Sequence, residues 1–225
     1  MLYPVLSAMI IAINVLLGVM VLAASPGRLQ NRLFALLCLC FVIWTSSCFM
    51  MTSSSDPERA LFWARFSFFG VSFIAPLYLH FILSFEDRTV PLHIYLPAFV
   101  FAALASLTGL LVPGLHRSAG NLLYAPGAFD GIVYGVLYPA FTVYFIACVS
   151  FGAYRSFIQL RELSGIEQAR MRLIFLGTVI PGSIGGLTNV VLPAIGVYGY
   201  EVAEYFTVVI AAFFFYAFFY PEKKT

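Results

Sequence analysis

The sequence predicts an all-α membrane protein: a seven-transmembrane helix bundle, N-terminus outside and C-terminus cytoplasmic. Three observations predict it. Of 225 residues, 62% are hydrophobic and 10% charged, where a soluble domain carries about 25% charged residues. The apolar residues gather into seven segments of spanning length, at about 20 residues per membrane helix. Lys and Arg are strongly biased to one set of connections. Seven spans leave only short loops, which excludes a sizeable soluble kinase, nuclease or dehydrogenase module. The net charge of +2 leaves no footprint for nucleic acid.

The spans run over about 3–24, 30–51, 58–84, 93–112, 131–154, 171–192 and 200–220, read as one sensor-like domain over 1–225. Ser25-Pro26-Gly27-Arg28 ends the first, because Pro and Gly favour a turn and Arg28 resists burial. The polar run Thr52–Glu58 separates the second from the third, with Asp56 as N-cap and Pro57 at the first helical position. Glu86-Asp87-Arg88 and Pro91 close the third. Residues 113–130 read as a polar connection with turns at Pro113-Gly114 and Pro126-Gly127. Residues 155–172 read as the most charged loop; Pro193 and Gly196 end the sixth span, and Pro221 ends the seventh. The first run has no positive segment before it, and its length of about 22 residues exceeds the apolar core of a cleavable signal, about 7–15 residues. It reads as a retained span.

Charge sets the orientation. With the N-terminus outside, the cytoplasmic side holds Arg28, Arg32, Arg88, Arg155, Arg161, Arg170, Arg172, Lys223 and Lys224, nine in all, and the outer side three, Arg59, Arg65 and Arg117. The expected location is the inner (plasma) membrane, multi-pass.

Several chemistries fail on inspection. A retinal Schiff base needs a lysine inside the bundle, and both lysines follow the last span. Cys38 and Cys40 lie roughly 200° apart around a helix, so they cannot share a metal; with Cys48 and Cys148 they read as small packing residues. Glu86–Arg88 and Pro91 break any helix joining His80 to His93, which removes a stacked haem pair. No HExxH or GxSxG occurs, and Gly182-Ser183-Ile184-Gly185 has the wrong order for a membrane serine protease. No cofactor, metal or catalytic residue is expected, and no internal repeat marks a duplicated transporter.

The sixth span carries Gly177, Pro181, Gly182, Gly185 and Gly186. Gly182 and Gly186 form a GxxxG pair suited to close helix approach, and Pro181 removes a backbone hydrogen bond, suggesting a hinge. The seventh span is short: Tyr205–Tyr220 is 16 residues, about 24 Å against a hydrocarbon core of about 30 Å. It must recruit Glu204 and then Glu201, which share a face. Arg65 lies about seven residues inside the third span, and charges at depth usually face a partner in the bundle. An Arg65–Glu204 ion pair is therefore expected at the floor of an outer pocket. Asn189, Glu201, Trp63, Tyr134, Tyr198 and Tyr205 would border it, with Asp130 at the same height. A ligand carboxylate or carbonyl would compete for Arg65.

The ordered pieces resemble the N-terminal seven-transmembrane sensor region of bacterial histidine kinases. They are Asn31-Arg32-Leu33-Phe34-Ala35, Phe62-Trp63-Ala64-Arg65 with Gly70 and Pro76, and His80-Phe81 with Phe85. The strongest block runs from Arg161-Glu162 through Ser164-Gly165-Ile166-Glu167 and Arg170-Met171-Arg172 to Gly177, Gly185–Asn189, Leu192-Pro193 and Gly196. The resemblance covers essentially the whole chain. It implies an input module for a kinase or diguanylate cyclase. The sequence holds no phosphoacceptor-histidine helix or ATP-binding domain, so kinase activity is not carried over and a non-enzyme is expected.

The reading is a sensory module of a two-component system. It takes a small or lipidic signal in an outer-half cavity and transmits through the sixth and seventh helices to a cytoplasmic partner. Arg161, Arg170 and Arg172 are the expected docking surface, the bilayer is the surrounding partner, and a homodimer stays open. A small solute transporter or channel, or an assembly subunit, are the alternatives. Sparse mid-depth polar groups, chiefly Asn14, favour a one-sided pocket over a transport path.

Overall fold

The computed structural model describes residues 2–86, 90–118, 120, 126–192 and 203–219. Its helices are α1 (Tyr3–Ala24), α2 (Leu29–Ser53), α3 (Pro57–Phe66), α4 (Phe68–Leu83), α5 (Leu96–Leu107), α6 (Tyr138–Glu162), α7 (Gly165–Gly186) and α8 (Thr207–Phe218). Five helical stretches are long and apolar enough to cross a membrane, with α3 and α4 counted as one, and Leu92–Leu107 and Ala203–Phe218 are shorter apolar helices. Together they make seven apolar helical stretches, the number expected of the bundle. Local signals explain the boundaries: Asp56 Oδ1 accepts from the Glu58 amide at 3.1 Å, and Pro57 opens α3.

Two expectations about connections are corrected. Residues 113–130 are not simply a polar loop. Strand β1 (Gly114–Arg117) pairs antiparallel with β2 (Phe129–Val133), and the fifth span begins as a helix only at Tyr138. The stretch 155–172 is not a loop either: α6 continues to Glu162 and α7 starts at Gly165, whose φ of +61° glycine alone adopts without strain. Arg88, Lys223, Lys224, Pro193, Gly196 and Pro221 lie outside the described residues.

Helices α2 and α4 form the centre. Lipid is as apolar as Leu, so membrane helices associate through close packing and hydrogen bonds rather than burial from water. Gly70 of α4 meets α2 so closely that a Cβ there would stand 2.5 Å from the Cys40 carbonyl oxygen. Gly18 of α1 faces Cys38 in the same way, at 2.9 Å. The main core joins Phe34, Leu37 and Phe41 of α2, Leu77, Tyr78 and Phe81 of α4, Ile174 of α7 and Phe214 of α8. The Phe81 and Phe214 rings stack 5.1 Å apart. A second cluster, at the Lys/Arg-poor end, packs α3 against Leu111, Val112, Phe129 and Phe141 under the hairpin. At the Lys/Arg-rich end, Arg155 of α6 forms a bidentate ion pair with Glu86, which also accepts from Gln159 Nε2 at 2.6 Å.

Candidate ligand cavity between the sixth and seventh helices

A cavity of about 650 Å³ lies among α2, α4, α6, α7 and α8 and reaches the hairpin. That is within the usual range for small-molecule sites, about 300–1,000 Å³. On α6 its wall runs from Tyr138 to Ala153, and on α7 from Thr178 to Gly186, continuing to Asn189. At 1.5 Å rise per residue this is roughly 17–22 Å of depth.

Near its lower end two glycines bring the helices into close contact. A Cβ on Gly152 would stand 2.5 Å from the Tyr78 ring, and one on Gly177 would stand 2.5 Å from Phe213 Cβ. The roof is polar. The Tyr138 hydroxyl donates to the Asn189 carbonyl at 3.1 Å, joining α6 to the π turn Leu187–Val191 that follows α7. Such turns shift carbonyls off the α pattern and recur at functional sites. Asn189 Oδ1 accepts from the Ala203 amide at 3.1 Å and from Thr188 Oγ1 at 2.9 Å, holding the end of α7 to the turn before α8. The start of α8 is tied to α1 by Asn14 Nδ2, which donates to Thr207 Oγ1 at 3.2 Å.

The hairpin supplies the remaining roof. Gly135 and Leu137 donate their amides to the carbonyls of Leu111 and Leu110, at 2.9 and 3.0 Å. This pins the link between β2 and α6, and Gly135 sits where a Cβ would collide with the Leu110 carbonyl. Tyr134 and Tyr138 then stack with ring centroids 3.7 Å apart and planes 18° apart. Asp130 of β2 and Glu204 of the turn before α8 are both in the wall, exposed by only 8% and 3%.

The wall thus brings together Asn189, Glu204, Tyr134, Pro181, Gly182 and Gly186 of the residues expected at the site. It does not bring in Arg65, Trp63 or Tyr205. Arg65 donates its Nε–H to the Val112 carbonyl at 3.1 Å, beneath the hairpin, so the expected Arg65–Glu204 pair is not formed. A backbone carbonyl just before the hairpin takes the guanidinium in place of a carboxylate. Trp63 packs on Phe62 and Phe66 of its own helix. Tyr205 stands edge-on to Tyr3, 6.1 Å between centroids, and it is Tyr3 that reaches the wall. Glu201 and Tyr198 lie outside the described residues.

The glycine pair has a different role from the one expected. A Cβ added at Gly182 or Gly186 would meet nothing within 4 Å, so these two open the cavity instead of packing a helix. Gly177 and Gly185 are the close contacts, against Phe213 and Ala203 of the α8 side. Helix α7 runs unbroken through Pro181. At the Lys/Arg-rich end, Arg161 lies over the Phe157 ring, 4.3 Å to the centroid, Arg170 bonds Glu167 at 2.7 Å, and Arg172 is exposed.

Sequence reasoning missed Trp44, Tyr138 and Tyr3 as wall residues and gave Asp130 no role beyond its height. Tyr134 precedes the helix that Tyr138 opens, so their spacing carried no helical signal either.

No curated protein and no solved structure matches the chain. A family model described as the N-terminal 7TM region of histidine kinase matches residues 5–222. The match takes in every helix from α1 to α8, and the chain belongs to that family of seven-transmembrane histidine kinase N-terminal regions.

Proposed function

We infer that this chain is a membrane sensory input module that takes up a small or lipidic signal in the cavity between α6 and α7. It passes the signal through α7 and α8, the sixth and seventh spans, to a cytoplasmic histidine kinase or cyclase. The carrying observation is the cavity itself, whose walls belong to the helices that would have to move. Gly177 against Phe213 and Gly185 against Ala203 couple α7 to α8. A ligand that wedges α6 from α7 therefore displaces α8 as well. The apolar lower wall, with Phe141, Phe145, Val149 and Ile210, favours a one-sided pocket over a polar transport path. The N-terminus is read as outside, and Arg161, Arg170 and Arg172 as the face presented to the output partner.

The test fills the cavity. Gly182→Phe and Gly186→Phe each place a ring in open space. Solvent extracts of purified wild type and both variants are compared by mass spectrometry, and spin labels at Arg172 and Tyr216 report the spacing of α7 and α8. A bound species held by wild type and lost from both variants, with a changed label distance, is expected. No bound species in any form, or a distance that ignores the filling, rejects the reading. Charge reversal at Arg161 and Arg170 is expected to weaken output while insertion stays intact.

A further inference from the structure

We propose that the cavity is built for an amphiphile with an ammonium head and an apolar chain, its head held at Asp130 in a wall that also carries the stacked Tyr134 and Tyr138. The proposal rests on the ligand-cavity reading above and names the chemistry of its ligand.

Four observations carry it. The charged residues in the described wall are Asp130 and Glu204; no Lys, Arg or His is among them. That polarity is opposite to the Arg-centred pocket the sequence suggested, and it repels a carboxylate or phosphate. Asp130 is 8% exposed, and among the described residues its carboxylate takes no hydrogen bond or ion pair. An unpaired buried charge is costly, and a cation brought by the ligand offsets that cost. Tyr134 and Tyr138 add stacked aromatic surface to the same wall, and aromatic faces attract ammonium groups through the ring quadrupole.

Below this head level the wall turns apolar, through Phe141, Phe145, Val149, Ile74, Val71 and Ile210. The rim is apolar too: Ile146, Val179 and Leu187 belong to the wall yet are exposed by 50%, 37% and 52%. The cavity therefore opens sideways between α6 and α7, toward the hydrocarbon. An amphiphile already in the bilayer enters tail and head together, its head at the interface end and its chain along the helices.

Trp44 lies in the wall and Trp63 does not, and these are the two tryptophans of the chain. With Trp63→Phe, the full chain in dodecyl maltoside micelles, which carry no ammonium group, reports the cavity through Trp44 fluorescence. The probes are dibrominated single-chain quenchers of equal length ending in ammonium, alcohol or carboxylate. Ammonium is expected to quench at a concentration at least tenfold below alcohol, with carboxylate weakest. Asp130→Asn should remove that preference and leave alcohol quenching unchanged. Tyr134→Leu, which keeps Asp130, should reduce it severalfold, so the idea does not depend on one variant folding. Dibrominated phosphatidylethanolamine against dibrominated phosphatidylglycerol decides the source. An Asp130-dependent excess for the former assigns a membrane lipid, and its absence beside a positive single-chain result assigns a free amphiphile. Equal quenching by all three probes, abolished by Gly182→Phe, overturns the ammonium proposal and leaves the cavity reading standing. Quenching that ignores head group and Gly182→Phe alike overturns both.

Discussion

The hydroxyl of Tyr138 donates to the backbone carbonyl of Asn189 at 3.1 Å, tying the first turn of α6 to the π turn beyond α7. At the opposite end of the same helices Phe157 meets Phe175, 6.1 Å between centroids, and Gln168 Nε2 donates to the Leu160 carbonyl at 2.9 Å. The cavity is the space between these two fixed ends. Tyr138→Phe deletes the upper tie and keeps the ring. It should cost about 0.5–1.5 kcal/mol, the net worth of one hydrogen bond. Hydrogen exchange at 187–191 should rise while exchange in α2 and α4 stays the same. Equal exchange at 187–191 in both proteins would show that the tie holds nothing.

The glycines of α6 and α7 should divide into two classes. Gly152→Ala and Gly177→Ala push a methyl against the Tyr78 ring and Phe213 Cβ, each 2.5 Å away. Overpacking of this kind costs about 1–3 kcal/mol. Gly182→Ala and Gly186→Ala meet nothing within 4 Å, and Ala gains up to about 1 kcal/mol of helix propensity over Gly. Thermal unfolding in one detergent should therefore lower the midpoint for the first pair and hold or raise it for the second. The reverse order would contradict the packing of α7 on α8.

Glu86 joins α4 to α6 by accepting from both Arg155 and Gln159. The side chains of Arg155 and Glu86 keep 18% and 12% of their exposure, so the pair is partly screened. Glu86→Ala should cost toward the lower end of the 1.5–3 kcal/mol typical of bonds to charged groups, about 1.5 kcal/mol. A double-mutant cycle with Arg155→Ala should give a coupling energy clearly above zero. A cycle that closes at zero would mean that the two charges are solvated independently.

Lys and Arg divide nine against three between the two sets of connections, which predicts the richer side as cytoplasmic. Reporter fusions should find the N-terminus outside and the C-terminus in the cytoplasm. A cytoplasmic N-terminus would invert the pocket and defeat the sensory reading together with the topology.

The sequence by itself determined that the chain is built of apolar membrane helices, and where local signals are strong it also determined where a helix begins. Uninterrupted hydrophobicity and helix-boundary residues such as Asp56 and Pro57 act locally, so no tertiary contact is needed to read them. Only the tertiary structure decided how each helix is rotated about its axis. A membrane helix that is apolar all round carries no polar stripe to reveal which face is inside. That is why Gly182 and Gly186 looked like a packing motif and proved to open a cavity, while Gly177 and Gly185 make the contacts. It is also why Arg65 was paired with Glu204 on height alone. Its true partner, the Val112 carbonyl, lies 47 residues further along the chain. The hairpin from Gly114 to Val133 hid for a related reason: four- and five-residue strands carry too little alternation to read. Yet their pairing sets Asp130 into the wall, and no local pattern around an isolated acid in a polar connection foretells that.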